Sequence, residues 1–142
     1  MGRKIHQSPV RRSFTIEGRL DGLNEYTNAC RSGWQAGSRM KKKNEEKVIE
    51  WIAASGISRV TEYPVGLEIT WYDSSRRDLD NIMFATKFIQ DALVERGVLD
   101  NDDPRHISSL VHHIVHVRDN PHIDVRIIPN TGKDAENSEK QP

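Results

Sequence analysis

Residues 65–97, VGLEITWYDSSRRDLDNIMFATKFIQDALVERG, hold a strand, a turn and a helix in succession. Val65, Leu67, Ile69 and Trp71 alternate with Gly66, Glu68, Thr70 and Tyr72, the period of a half-buried strand. Asp73-Ser74-Ser75 supplies a turn. A helix is predicted from Leu79 to Arg96, stopped by Gly97. Ile82, Ala85, Ile89, Ala92 and Leu93 make one apolar face of it. Phe84 and Phe88 add a second strip, so the helix should pack on more than one side.

Upstream, Phe14, Ile16, Gly18 and Leu20 alternate with Thr15, Glu17 and Arg19, which predicts another strand. Residues 21–38 are rich in Gly, Asn and Ser and read as a loop with a short helical piece around Glu25–Arg31. Ser38 can cap a helix reaching Ser55, with Gly56 as its stop and Met40, Val48, Trp51 and Ile52 as its apolar side. In that register Arg39, Lys41, Lys42 and Lys43 fall in the first turn, where the helix dipole disfavours cations. Such a misfit marks either a functional basic cluster or a plain solvated face. Downstream, residues 107–118 read as a strand and Asp119-Asn120-Pro121 as a turn. Ile123, Val125 and Ile127 then alternate in a last strand, so a hairpin is expected. The sum is one α+β domain over residues 13–129, a small mixed sheet of about four strands with two main helices. Residues 1–12 read as a flexible basic arm and 130–142 as a disordered polar tail.

A chain of 142 residues with 35% apolar side chains can bury one modest core. It has no apolar run long enough to span a membrane. Met1-Gly2-Arg3-Lys4 leads into no apolar stretch, so no secretory leader is expected. Cys30 is the sole cysteine and reads as an inert small hydrophobe; it excludes a disulfide framework and suits a cytoplasmic protein. Net charge is zero, yet residues 1–43 carry +7 and residues 44–142 carry −7. That asymmetry points to a polyanion partner, or to basic and acidic surfaces that face each other.

The chemistry-bearing cluster is acidic. Asp78 and Asp80 stand at the mouth of the second helix within Arg76-Arg77-Asp78-Leu79-Asp80-Asn81. In an extended segment these two carboxylates converge and Leu79 turns into the core. Asp100-Asn101-Asp102-Asp103 follows the helix. An eighteen-residue helix spans roughly 27 Å, so the second acidic segment must fold back or come from a partner chain. Carboxylates from separate segments suit Mg²⁺, or Mn²⁺, which takes oxygen ligands and phosphate. The same residues also fit plain helix capping and a polar turn. Lys87 and Asp91 continue the stripe from Asp80 through Phe84, placing Lys87 either toward a substrate phosphate or in a surface pair with Asp91.

RRDLDN (76–81), KFIQDAL (87–93) and GVLDNDD (97–103) together resemble the RusA family of Holliday-junction endonucleases, in its phage and prophage branch. LNEYTNACR (23–31) resembles that family's opening segment, and the likeness covers roughly residues 13–128. The resemblance implies a RusA-like fold and a Mg²⁺-dependent homodimer that cuts four-way DNA junctions by paired nicks. It places the metal-binding, catalytic aspartates on Asp78, Asp80 and Asp102, with Asp103 as a competitor for the third, and the catalytic lysine on Lys87. Lys87 stands three residues further from the paired acids than in the family's shorter branch. Asp91 then reads either as a group orienting Lys87 or as a surface acid. A two-fold dimer matches the approximate symmetry of the junction.

Candidate DNA contacts are Arg76, Arg77, Lys41, Lys42 and Lys43, then Arg11 and Arg12, with Asn24, Tyr26 and Arg31 lining the cleft or serving as loop caps. His112, His113 and His116 read as strand-surface histidines rather than a zinc site, having no cysteine nearby. Trp34, Trp51 and Trp71 read as core or dimer-interface residues. The other readings of the chain are a non-catalytic nucleic-acid-binding module, a prophage relic of a nuclease, or an acidic-basic protein-interaction domain.

Overall fold

The structure is a computed structural model that describes residues 9–129. The elements are β1 (Ser13–Glu17), α1 (Leu23–Ser32), α2 (Trp34–Ser55), β2 (Val65–Asp73), α3 (Leu79–Met83), α4 (Thr86–Glu95), β3 (Ile107–His116) and β4 (His122–Pro129). The strands form one mixed sheet in the order β1-β4-β2-β3, so the chain is an α+β domain.

Strand parity sets the core. Phe14 and Ile16 of β1, Val65, Leu67, Ile69 and Trp71 of β2, and Ile123, Val125 and Ile127 of β4 are all buried. Val48 and Ile52 of α2 and Phe88, Ile89, Ala92 and Leu93 of α4 complete the same cluster. Each fully buried Leu, Ile or Phe among them contributes about 1.5–3 kcal/mol from surface removed from water.

The expected β3–β4 hairpin does not form. The turn at Asn120 exists, with φ 59°, but β2 lies between the two strands, parallel to β3 and antiparallel to β4. Burial explains the order. β4 buries alternate residues and pairs on both sides, whereas β3 is exposed along nearly its whole length and suits an edge.

The helices also depart from expectation. α2 begins at Trp34, not after Ser38. Arg39 and Lys41–Lys43 therefore sit beyond the first turn, clear of the dipole's unfavourable end. The loop expected over 21–38 holds the full ten-residue α1. The helix predicted over 79–96 is broken into α3 and α4. At the break the Ala85, Lys87 and Phe88 amides each bond three residues back, and the Thr86 hydroxyl donates to the Met83 carbonyl at 2.6 Å. These short-range bonds tighten the turn there, while the apolar spacing continues unbroken.

β1 ends at Gly18, whose φ of 82° suits glycine. Of the N-terminal segment expected as a loose arm, Arg11 and Arg12 are tied down. The Arg11 amide bonds Ser58 Oγ at 2.9 Å, and the Arg12 carbonyl accepts from Ile127. The rest of that arm, residues 1–8, and the tail from 130 to 142 lie outside the described residues. Among the described residues no helix is long and apolar enough to cross a membrane.

Candidate active site

The inward parity of β2 carries one residue too far: Asp73 follows Trp71 on the buried face and is itself buried. Its carboxylate needs partners. Ser75 donates to Oδ1 from its amide and hydroxyl, and Arg77 Nη2 donates to Oδ2 at 2.6 Å. Desolvation pushes the Asp73 carboxyl up, but the bonds from Ser75 and Arg77 together outweigh it and hold the group below the usual carboxylate range. Arg77 Nη1 reaches Glu25 Oε1 and the Leu20 carbonyl, each at 3.3 Å. The guanidinium thus ties the loop after β2 to the start of α1. Arg77, expected as a DNA contact, is committed to the protein and only 11% exposed.

Next to this anchor, Asp78 is the N-cap residue of α3 and Asp80 lies in its first turn. The Asp78 carbonyl accepts from the Ile82 amide at 3.1 Å, yet its carboxylate makes no capping bond. The extended run that would converge the two acids is absent, because the helix starts at Leu79. Leu79 is accordingly not turned into the core but 57% exposed. Asp78 and Asp80 are both exposed, and neither carboxylate has a partner among the described residues. Asn81 locks the segment from behind: it is buried, and its Oδ1 accepts the Asn24 amide at 2.9 Å. The backbone of Asn24 is therefore a neighbour of the acidic turn. Tyr26 packs its ring on Phe84, with centroids 5.2 Å apart.

The third acidic group leaves the sheet at its other end. β3 starts beside the start of β2, with Val65 opposite Ile107, and Asp102 precedes that point while Asp78 follows the far end of β2. A nine-residue strand is about 26 Å long. Asp102 lines a shallow depression with Gln90, Pro104 and Leu110, and Gln90 stands about 15 Å along the helices from Asp80. Among the described residues no group of three His, Cys, Asp or Glu side chains is placed to share a metal ion.

Asp102 and Asp103 differ in availability. Asp103 Oδ1 pairs with His106 Nδ1 at 2.6 Å and accepts the Arg105 amide at 3.0 Å. The His106 bond, first among the causes, holds the Asp103 carboxyl below its ordinary range. Asp102 is exposed, and its carboxylate has no partner among the described residues. Asp100 is paired with Arg59 at 2.9 Å.

Lys87 opens α4, 59% exposed, with Nζ 3.9 Å from Asp91. Lys41 of α2 approaches the same carboxylate at 3.7 Å and Glu45 at 3.9 Å. Asp91 thus holds both lysines at the α2–α4 junction. Burial and the neighbouring Asp91 push the Glu45 carboxyl up. Arg31, Lys42, Lys43 and Arg76 are exposed. His112, His113 and His116 lie on edge strand β3 as expected, His113 bonded to Glu68 at 3.0 Å. Cys30 is exposed and Trp71 is buried.

The residues that sequence reasoning missed are Asp73, Asn81 and Asn44. Asn44 is buried and bridges the Met40 carbonyl to Asp21 Oδ2, both at 2.8 Å. Its position four residues after Met40 and four before Val48 was the available signal, as parity was for Asp73. No protein-family model matches the chain, and no curated protein matches it.

Proposed function

We propose that the chain is a divalent-metal-dependent endodeoxyribonuclease for branched DNA, resolving four-way junctions by paired nicks as a homodimer. The observation that carries this reading is the state of the three acids. Asp78, Asp80 and Asp102 are exposed and without protein partners, while the neighbouring Asp73, Asp91, Asp100 and Asp103 are all paired. Unpaired carboxylates on an anchored turn suit a hard cation such as Mg²⁺ or Mn²⁺. That ion, when bound, supplies charge neutralisation at phosphate and a more acidic water. Asp78 and Asp80 would hold it together with Asp102 of a second copy, which removes the difficulty of the distance within one chain. Lys87, paired with Asp91, would neutralise charge on a phosphate about 10 Å along the helices from Asp80. Lys42, Lys43 and Arg76 supply backbone affinity.

The test is a synthetic four-way junction incubated with the protein in Mg²⁺ and in EDTA. Symmetric nicking in Mg²⁺ alone is expected, and Asp80→Asn should abolish it while leaving junction binding intact or tighter, since phosphate repulsion falls. Binding without any metal-dependent nicking would favour the non-catalytic module instead.

A further inference from the structure

Between Glu25 and Glu45 the sequence holds five cations, Arg31, Arg39, Lys41, Lys42 and Lys43, and no acid. The fold makes this stretch the turn of the α1–α2 helical hairpin and the helix segments that adjoin it. Gly37 lets the two helices meet closely: a Cβ there would stand 2.6 Å from Cys30 Sγ. Where the hairpin turns, at Gly33, it presents Trp34, which is 78% exposed. The indole has no ring, hydrogen-bond or ion partner among the described residues. Trp71, in contrast, is buried, and its Nε1 donates to His112 at 3.0 Å. A large aromatic ring left in water at the turn of a hairpin whose residues 26–44 carry cations and no acid suits a ligand that is both anionic and flat-faced.

We propose that Trp34 is a stacking platform for an unpaired or unstacked base of branched DNA. The proposal rests on the nucleic-acid reading of this protein and adds the residue that tells branched from unbranched DNA. α1 begins against α3, through the Asn24–Asn81 bond, and rises about 15 Å to the turn. Trp34 therefore meets DNA about four nucleotide steps from the phosphate that would face the ion at Asp78 and Asp80. Arg31 and Arg39 flank it in sequence, so the phosphates on either side of the stacked base have cations to meet.

The experiment measures binding of a four-way junction, and of unbranched duplex of the same length, in EDTA at low salt, with tryptophan emission followed in the wild type and in Trp34→Phe, whose difference separates Trp34 from Trp51 and Trp71. The wild type should bind the junction with quenching, Trp34→Ala should bind it about tenfold more weakly, and Trp34→Phe should restore most of the loss. Duplex affinity and the melting temperature should not change. Junction affinity within twofold of wild type for Trp34→Ala, alongside normal Mg²⁺-dependent nicking, would overturn the stacking role and leave the nuclease reading intact. An equal loss on duplex would also overturn it. So would an emission that responds to protein concentration but not to DNA, which would place a second copy over the ring. Failure of the wild type to bind any DNA would overturn both.

Discussion

Arg77 Nη2 donates to Asp73 Oδ2 at 2.6 Å, and the same guanidinium reaches Glu25 at the start of α1. This one cation fixes the exit from β2, and with it the position of Asp78 and Asp80. Asp73→Asn should lower stability by about 2–4 kcal/mol, because a nearly buried charge loses its partner. The folded Asp73 pKa lies below its unfolded value near 4. Its contribution is thus fully present above that value and lost as pH falls through the folded pKa. Denaturant melts from pH 7 to pH 2.5 should show a smaller acid-side loss in the Asn variant; parallel curves would contradict the role.

His112 gives a pH dependence of the same sign, set in a higher range. Trp71 Nε1 can only donate, so His112 Nδ1 accepts, and that nitrogen carries no proton. Burial, and then the charge of His113, lowers the His112 pKa. The unfolded chain then takes up the proton first. Stability should be complete above about pH 6.5 and decline as pH falls below it. His112→Gln, which keeps an acceptor but does not titrate, should flatten the melting temperature between pH 7.5 and 5.5 relative to wild type.

Gly22 sits where α1 meets α3. Its φ of −101° is open to any residue, but a Cβ would stand 2.4 Å from the Asn81 carbonyl oxygen. Gly22→Ala should therefore cost about 1–3 kcal/mol through steric conflict alone. Thermal unfolding checks this, and an unchanged midpoint would mean that the α1–α3 contact gives way freely.

Lys42 and Lys43 are exposed, whereas Arg77 is held inside the protein. Replacing both lysines by Gln should reduce the log–log salt slope of junction binding by about two, with the melting temperature unchanged. An unaltered slope would move the DNA track away from α2.

Much of the fold was legible because burial leaves a period. Val65 to Trp71 and Ile123 to Ile127 alternate, and the structure buries those residues. What periodicity could not show was partner choice and local breaks. The Asp119-Asn120-Pro121 turn is local, whereas the insertion of β2 between β3 and β4 is decided by which strands have two buried neighbours. The break between α3 and α4 keeps the apolar spacing and depends on Thr86 and a run of short bonds. At the site, the sequence singled out the acids but not their fates. The pairing of Asp103 with His106 and the release of Asp102 arise from a four-residue turn that carries no periodic signal.

The sharing of one metal site between two copies is tested most directly by mixing two inactive proteins. Asp80→Asn and Asp102→Asn should each fail to nick a four-way junction in Mg²⁺. In their mixed dimer one site receives both substitutions and the other receives neither. Co-refolded at equal amounts, the pair should recover nicking at about a quarter of the wild-type rate, as single rather than paired nicks. Mixed dimers that stay inactive, or either variant alone nicking at the wild-type rate, would contradict the account.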